Sequence, residues 1–596
     1  MYKLLPVLFC LLTAALVVSA WQNPTHEDWK EKVSPIVLQK AQSGQAVEFI
    51  LRLKSQADVS AAKQLKGKKA KGNYVYQQLK QTAERSQKGL KDILESENVS
   101  YRSFFIVNAI YAKGDYDLIQ RLAKREEVAS VDFNPQIQME QIIEEAPTAD
   151  LRGKTTIEWG ITMINADAVW DMGYRGQGVV VAGQDTGVEW FHPAIRSQYR
   201  GTTSDTTANH DYNWHDAIRE ISDLHQDSVK TPDLNDCGLD VAYACDDNNH
   251  GTFTVGLMVG EDGEEQIGVA PEASWIACRN MERGYGSPAS YMECYEFFLA
   301  PTDLQGENPA PDLAPHVVNN SWSCPEMEGC NASNWAMMEA LVDNLKAAGI
   351  VVVVSAGNSG RSGCSSVSTP SAIFENSFTV GVTASNDSIH AMSSRGPVTV
   401  DGSGRIKPNV VAPGIRVRSA VRRGNYQNGS GTSAAGPMVA GTVALMISAN
   451  PALAGEVEMI EDILESTAVP KTTDEMCGGV DGQMVPNNTY GFGRIDALAA
   501  VQMAIQTVNT SQPLAKDYLY VFPNPTTGTF QIETNKVDGP VQFEVYTADG
   551  KLVLTKNWQH QIHDQQRIDA SHLPIGVYFY RLFSDDQNLS GKIVRQ

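Results

Sequence analysis

Ser433 lies within the small-residue stretch GTSAAGPMVAG at positions 431–441. Residues 433–449 are small and apolar, which predicts a closely packed helix that begins at Ser433. Serine is a favoured N-cap residue, so Ser433 could simply cap this helix. Its hydroxyl could instead be a nucleophile, provided that another side chain takes its proton. This stretch alone leaves both interpretations open.

Three more polar side chains stand at the ends of predicted elements. Asp185 ends the apolar run GVVVAGQD, His250 opens the helical pattern HGTFTVGLMVG, and Asn358 follows GIVVVVSAG. Each has an ordinary structural explanation, because Asp and Asn suit turns and a single histidine is often structural. Together with Ser433 they form the set that acyl transfer needs. An imidazole takes the hydroxyl proton, a carboxylate orients the imidazole, and an amide stabilises the oxyanion.

Alternating apolar runs and helical patterns between about residues 155 and 508 would position these side chains. The apolar runs are 178–185, 273–279, 316–322 and 349–358, and the helical patterns are 291–300, 334–348 and 433–449. Runs of this kind predict an α/β fold with a mostly parallel sheet covered by helices on both faces. Ligands of such sheets bind beyond the carboxyl ends of the strands, where the polar candidates stand.

The order of the candidates along the chain separates two hydrolase classes. The α/β-hydrolases run Ser, acid, His and carry G-x-S-x-G, whereas GTSAA lacks the second glycine. The order Asp185, His250, Ser433 is that of subtilisin.

The stretches DTGV, HGT followed by VGLMVG, SAGNSG and GTSAAGPMVAG resemble the four signatures of subtilisin-like serine peptidases. The stretches IGVAPEASWIACR and APHVVNNSW are similar to the bacillopeptidase F-like branch of that family. The resemblance implies a three-layer α/β/α fold. It also implies that Asp185, His250 and Ser433 form a catalytic triad and that Asn358 stabilises the oxyanion.

The same resemblance implies two substrate-binding segments. Their residues are Ser321, Trp322 and Ser323 in one segment and Ser355, Ala356 and Gly357 in the other. Trp322 stands where the family usually has leucine, so the cleavage preference of better-known relatives does not transfer. The family also usually has Met-Ala-Ala where Ala434-Ala435-Gly436 stand, but none of these positions belongs to the triad.

The first twenty residues have the pattern of a cleaved secretory signal. Lys3 precedes an apolar run over residues 4–18, and small residues lead to Ala20. The run is shorter than the roughly 20 residues that a spanning helix needs, and an uncleaved anchor is the alternative. No later stretch reads as long and apolar enough to span, so we expect no membrane span once the signal is removed.

The cysteines agree with export. Apart from Cys10, all eight lie between residues 237 and 477. An even number in an exported chain predicts disulfide bonds, and the absence of Cys-x-x-Cys argues against zinc. The sequence leaves the pairing open, although the partners in Cys237/Cys245 and in Cys324/Cys330 are close enough to close short loops.

Charge is distributed unevenly along the chain. The net charge of −22 argues against nucleic acid as a partner. Residues 51–125 nevertheless hold sixteen Lys and Arg against seven Asp and Glu. A basic segment ahead of an acidic body could be a nucleic-acid arm or an electrostatic partner of that body.

Residues 46–134 predict a small α+β unit in the order β-α-β-β-α-β, with a first strand at 46–53 and a helix at 73–97. The polar, unpatterned residues 135–154 predict a linker. Residues 45–135 resemble the inhibitory prosegment of subtilases, which assists folding and is then removed. A basic prosegment on an acidic enzyme would account for the charge distribution.

Residues 515–596 predict a small all-β module with turns at Thr527-Gly528 and Asp549-Gly550. The stretches VFPNPTTGTF, VYTADGKLV and IDASHLPIGVYFYRL resemble the type A sorting domain of type IX secretion. This implies a Gram-negative cell, passage through the periplasm and a secreted or cell-surface protein. A β-sandwich that binds carbohydrate or the cell surface is the alternative.

Four regions are therefore expected: a signal peptide (1–20), a prosegment with linker (21–150), a peptidase domain (151–510) and a sorting domain (511–596). The resemblance implies a secreted serine endopeptidase made as a zymogen. Its partners would be protein or peptide substrates, its own prosegment and the type IX machinery. Catalysis should need no cofactor, whereas acidic loops such as CDDNN (245–249) could bind structural calcium through ligands that remain unassigned. The alternatives are a catalytically inactive homologue that acts as a surface binding protein, or an esterase with the same triad.

Overall fold

The computed structural model describes residues 28–139, 156–263, 265–321, 332–507 and most of 519–595. The expected signal peptide, residues 140–155, and Trp322, Ser323, Cys324 and Cys330 lie outside the described residues. The chain divides into two compact units, one up to residue 508 and one from residue 509 on.

The N-terminal part of the first unit is an antiparallel sheet with helices packed on it. The strands of this part of the chain are β1 (Val47–Leu53), β2 (Tyr101–Phe104), β3 (Ala109–Gly114), β4 (Val128–Phe133) and β5 (Ile137–Gln138), and its helices are α1 (Pro35–Gln42), α2 (Lys68–Ser96) and α3 (Tyr116–Ala123). The sheet order is β2-β3-β1-β4, and Phe49, Leu90 and Ile110 contribute to its core. The predicted β-α-β-β-α-β order is confirmed.

Two boundaries in this region differ from the prediction. Helix α2 begins at Lys68 rather than near residue 73. The prediction placed the start too late because the lysine-rich first turn carries no apolar periodicity. Residues 135–139 do not belong to a linker, since β5 pairs with a strand near residue 285. That pairing is between distant parts of the chain and leaves no local pattern in the sequence.

The rest of the first unit is built around one parallel sheet. Its strands are β6 (Thr156–Ile157), β7 (Val180–Asp185), β8 (Thr202–Ser204), β9 (Thr207–Ala208), β10 (Trp214–Asp216), β11 (Glu265–Gln266), β12 (Ser274–Arg279), β13 (Met281–Glu282), β14 (Tyr285–Gly286), β15 (Val317–Asn320), β16 (Val351–Ser355), β17 (Phe378–Thr383), β18 (Val410–Pro413), β19 (Ile415–Val421) and β20 (Asn425–Ser430). Its helices are α4 (Trp159–Met163), α5 (Ala166–Asp171), α6 (His250–Val259), α7 (Pro288–Leu299), α8 (Ala332–Ala347), α9 (Thr432–Ala449), α10 (Val457–Thr467) and α11 (Ala497–Thr507). The seven strands β10-β12-β7-β15-β16-β17-β18 run parallel in this order.

Alternate strand residues face two separate cores. Val351 and Val353 pack in the core that includes residues of α6, α9 and α11, whereas Val352 and Val354 pack in the core that includes residues of α7 and α8. Helices therefore cover both faces of the sheet, and the predicted three-layer α/β/α fold is confirmed. The continuous valine run of β16 follows from this burial on both sides.

Helix α9 runs through the middle of one layer. Its eighteen residues are long and apolar enough to cross a membrane by length and composition, so the expectation that no later stretch reaches that measure is wrong. The helix is nevertheless a core helix, because 89% of it is buried inside the protein.

The second unit is all β, as predicted. Its strands are β21 (Leu519–Phe522), β22 (Thr529–Thr534), β23 (Val541–Thr547), β24 (Leu552–Trp558), β25 (Gln566–Asp569), β26 (Gly576–Phe583) and β27 (Asn588–Arg595). They form the sheets β21-β22-β25 and β24-β23-β26-β27, which share a core that includes Phe530, Phe543 and Leu582.

Three disulfide bonds join the described cysteines. The pairs are Cys237–Cys245, Cys278–Cys294 and Cys364–Cys477. The short loop expected for Cys237 and Cys245 is confirmed, and Cys278–Cys294 attaches β12 to α7.

We predict that Gly251→Ala destabilises the protein, because a Cβ at this position would lie 1.9 Å from the carbonyl oxygen of Gly187. Alanine is otherwise the better helix former by about 1 kcal/mol. Gly72→Ala in α2, where no atom lies closer than 3.8 Å to the added carbon, is therefore the matched control and should not lower the Tm. Thermal unfolding of both variants checks this, and equal Tm values would contradict it.

Candidate active site

The end of β7 and the start of α6 bring a carboxylate and an imidazole together. Nδ1 of His250 lies 2.8 Å from both carboxylate oxygens of Asp185. Both side chains are buried, and the N–H of Thr186 donates a second hydrogen bond, 2.7 Å long, to Asp185 Oδ1. This contact fixes the ring plane and leaves Nε2 as the nitrogen that can exchange a proton with a substrate or a nucleophile.

Asp246 holds the loop that leads into His250. Its carboxylate accepts hydrogen bonds from the backbone N–H groups of Asn248, Asn249 and Thr252 and from the hydroxyls of Thr186 and Thr252. Burial raises the pKa of Asp246 to about 6, although these hydrogen bonds oppose the rise. Asp246 thus holds the backbone on both sides of His250, a role that the sequence patterns did not reveal.

Ser433 does not cap its helix, so the interpretation of Ser433 as a helix cap is wrong. Helix α9 begins at Thr432, its N-cap is Gly431, and no side chain caps it. Ser433 is therefore inside the first turn, where backbone N–H groups have no acceptor within the helix. Its hydroxyl, mostly buried, donates a long hydrogen bond of 3.4 Å to the carbonyl of Ser321.

Ser321 places this hydroxyl beside the aspartate strand. Asn320 of β15 pairs with Gln184 of β7. The next residues along the two chains, Ser321 and Asp185, therefore lie at the same level of the sheet. Nε2 of His250 is buried and, among the described residues, has no hydrogen-bond partner. Contacts between a nucleophile and its base are often loose without substrate and tighten when it binds.

Asn358 lies in the turn after β16, where Thr432 orients it. The Oδ1 atom of Asn358 accepts hydrogen bonds from the backbone N–H (2.9 Å) and the hydroxyl (3.0 Å) of Thr432. The hydroxyl of Thr432 also accepts the N–H of Gly357. Because the oxygen is engaged, Nδ2 is the atom of Asn358 that can donate to a substrate.

The expected substrate-binding segments are described in part. Ser321 follows β15, Ser355 ends β16, and Ala356 and Gly357 form the turn before Asn358. Trp322 and Ser323 lie outside the described residues, so their assignment stays a prediction. A Cβ at Gly436 would lie 2.7 Å from Oδ1 of Asn319, which explains glycine where the family usually has alanine.

Two buried amide side chains next to the site, Gln184 and Asn320, were not predicted from the sequence. Nε2 of Gln184 donates to Oδ1 of Asn320, and Nδ2 of Asn320 donates to the carbonyl of Val353 at 3.2 Å. These bonds connect β7, β15 and β16 just before Asp185, Ser321 and Ser355. The only sequence signal was a polar residue interrupting each of two apolar runs.

The acidic loop 245–249 does not fit a calcium site. Asp246 is satisfied by the donors named above, and Asp247 accepts from Arg279, Asn235 and the N–H of Arg283. Within the described ranges, the only close group of three or more potential metal ligands is Cys364, Glu475 and Cys477, whose two cysteines form a disulfide bond.

Comparison with known proteins agrees with this geometry. Residues 176–493 match the subtilase family, peptidase S8, and thus cover more than half of the chain. The chain belongs to the subtilase family. Residues 520–596 of this subtilase match the C-terminal sorting domain of a secretion system.

Individual relatives cover different shares of the subtilase. It is 33% identical over 506 residues to bacillopeptidase F of Bacillus subtilis, which is 80% of this chain but only 32% of that protein. It is 28% identical over 349 residues to subtilisin DY of Bacillus licheniformis, which is 58% of this chain and 99% of that protein. Subtilisin E of Bacillus subtilis is 27% identical over 380 residues, or 63% of this chain and 80% of the relative.

We predict that Asn358→Ala lowers kcat by about 10²- to 10³-fold, the range known for one oxyanion donor in subtilisin. KM should change little, because the amide acts on the transition state rather than on bound substrate. Steady-state kinetics on a peptide substrate measure both constants. A variant that keeps kcat and loses substrate affinity would instead show that Asn358 shapes the binding site.

Proposed function

We propose that this subtilase is a secreted serine endopeptidase, made as a zymogen and exported by type IX secretion. The observation that carries the proposal is the buried Asp185–His250 pair on β7 and α6, next to the strand after which Ser321 accepts a hydrogen bond from the hydroxyl of Ser433. Asp185 ends β7, Asn358 lies in the turn after β16, and the hydroxyl of Ser433 bonds to Ser321 after β15, which supports a site with the groups that peptide hydrolysis requires.

In the proposed mechanism, His250 takes the proton of Ser433 as the hydroxyl oxygen attacks the carbonyl carbon of the scissile peptide bond. The N–H of Ser433 and Nδ2 of Asn358 donate hydrogen bonds to the resulting oxyanion. His250 then protonates the leaving amine, and water hydrolyses the acyl-enzyme by the reverse sequence of proton transfers. Asp185 holds the imidazole and stabilises its charged form.

The N-terminal region fits the role of an inhibitory prosegment. Strand β5 pairs with β14, and the N–H of Met139 donates a 2.7 Å hydrogen bond to the carbonyl of Gly284. The β13–β14 hairpin directly follows β12, and the N–H of Asn280 donates to the carbonyl of Asp185. The end of this region therefore lies as an added strand on a hairpin next to the end of β7, which carries Asp185, and this position supports a role in blocking the proposed active site.

Two carboxylates of α7 hold the same region. Glu293 pairs with Arg102, and burial alone would raise its pKa, but His215, Arg219 and Arg102 lower that pKa to about 2. Glu296 accepts the backbone N–H groups of Phe105 and Ile106. The Arg102–Glu293 ion pair supports the idea that a basic prosegment binds an acidic enzyme, whereas Glu296 binds backbone groups and burial raises its pKa to about 8.

The central test is Ser433→Ala. We expect kcat for casein to fall by about 10⁶-fold and labelling by a fluorophosphonate probe to disappear, because no nucleophile remains. The prosegment should also stay covalently attached if maturation is autocatalytic. Ser448→Ala, at the other end of α9, is the control and should behave as the parent. Undiminished casein hydrolysis by the Ser433 variant would refute the mechanism.

Deleting residues 511–596 should abolish release from the cell and leave catalysis intact. The peptidase helices end with α11 at Thr507, and the last cysteine is Cys477, so no disulfide bond can reach the deleted part. Casein hydrolysis by the purified truncated protein and its location in the native host are the measurements. We expect accumulation in the periplasm, and normal secretion of the truncated protein would contradict the sorting role.

A further inference from the structure

The first turn of α2 binds the peptidase region far from the cleft. We call residues 67–73 the α2 tip. The N–H of Gly67 donates to Glu456, the N–H of Lys68 donates to the carbonyl of Ala454 at 3.0 Å, and the ammonium of Lys68 donates to the carbonyl of Ala314. The tip thus offers helix N–H groups, which have no acceptor within the helix, together with lysine ammonium groups.

The receiving surface consists of acceptors. We call it the anchor site, and its residues are Asp312, Ala314, Ala454, Gly455 and Glu456. Nζ of Lys71 lies 2.7 Å from the carbonyl oxygen of Gly455 and 3.1 Å from Glu456 Oε2. Asp312 accepts from Asn73 Nδ2 at 2.6 Å. Two carboxylates and three carbonyl oxygens therefore face a tip that carries donors.

The anchor site lies at the amino ends of the parallel strands, whereas the proposed catalytic residues lie at their carboxyl ends. Ala314 precedes β15, and Ala348, whose carbonyl lies beside Gly72, precedes β16. Because β15 and β16 are parallel, their first residues lie side by side at one end and their last residues lie side by side at the other end. Asn320 and Ser355 are the last residues of these strands, at the end where the proposed active site lies.

The fit requires close backbone approach. Gly455 has a φ of +95°, and a Cβ there would lie 2.3 Å from the backbone nitrogen of Lys68. Lys71 is only 8% exposed at its side chain, so its ammonium is bound by protein rather than by water. Lys69 and Asp312, at 78% and 42% exposure, form the kind of surface pair that contributes little.

We propose that the anchor site is a further binding site for the prosegment, which recognises the lysine-bearing start of α2. It keeps the prosegment on the enzyme after the connection between them is cut. The inference rests on the proposed inhibitory role of this region. The prosegment then has contacts near the cleft, at α7 and at the anchor site, and these slow dissociation because each holds the prosegment while another opens. The anchored prosegment is then a tight inhibitor that must be removed in a further step.

The test uses a double-mutant cycle on the full chain with Lys71→Met and Glu456→Gln. Each protein is incubated until the prosegment is cut, the complex is isolated by gel filtration, and activity is followed after dilution into a fluorogenic peptide. We expect each single variant to raise the dissociation rate constant by about tenfold to a hundredfold, since each removes a charged, largely buried hydrogen bond. The double variant should raise the rate constant by less than the product of the two single effects, because both changes remove the Lys71–Glu456 pair, whereas the bonds of Lys71 to Gly455 and of Gly67 to Glu456 are lost separately.

The controls separate the anchor from a general charge effect. Lys88→Met changes an exposed lysine of the same helix and should leave dissociation unchanged. Glu456→Gln should leave kcat of the free enzyme unchanged, because the anchor site lies at the amino ends of the strands, away from the cleft. Unchanged dissociation in both single variants, or an equal increase with Lys88→Met, would overturn the anchor. Full activity of the parent complex while the prosegment is still bound would instead overturn the inhibitory role itself.

Discussion

A polar side chain buried at the end of an apolar strand must find a hydrogen-bond partner, and the site is organised around this constraint. Asp185 finds His250 and the N–H of Thr186, and Asn358 finds Thr432. In both cases part of the support comes from a residue adjacent in sequence to a proposed catalytic one. Short motifs are therefore informative here, because each carries a reactive group together with the neighbour that orients it.

Some of the exceptions to this constraint lie near the proposed site, and others are spread over the described residues. Among the described residues, buried side-chain atoms without a partner include Nε2 of His250, Oγ of Ser355 and the Oδ1 atoms of Asn280 and Asn319. These residues surround the carboxyl ends of β7, β15 and β16 or the start of the β13–β14 hairpin. Unsatisfied groups are costly in a stable protein, so these four agree with a site at which a ligand supplies the missing partners.

The parts of the fold that could be predicted are those with a local pattern. Apolar runs located β7, β12, β15 and β16, and short motifs located Asp185, His250, Ser433 and Asn358. Non-local contacts left no such pattern. The start of α2 depends on acceptors near residues 312 and 456, β5 depends on β14, and the start of α9 depends on a glycine that has no capping side chain. Gln184 and Asn320 were missed because their polarity makes sense only once their strands are adjacent.

The disulfide bond between Cys364 and Cys477 has a consequence for the effect of a backbone cut. It spans 113 residues of sequence and includes Ser433 within its loop. A single backbone cut anywhere in that loop leaves both new ends covalently joined to the same molecule. A nick in an exposed turn of this region, such as that near Gly402, therefore does not release the segment that carries α9. The covalent link thus keeps the segments of the folded protein together after partial digestion.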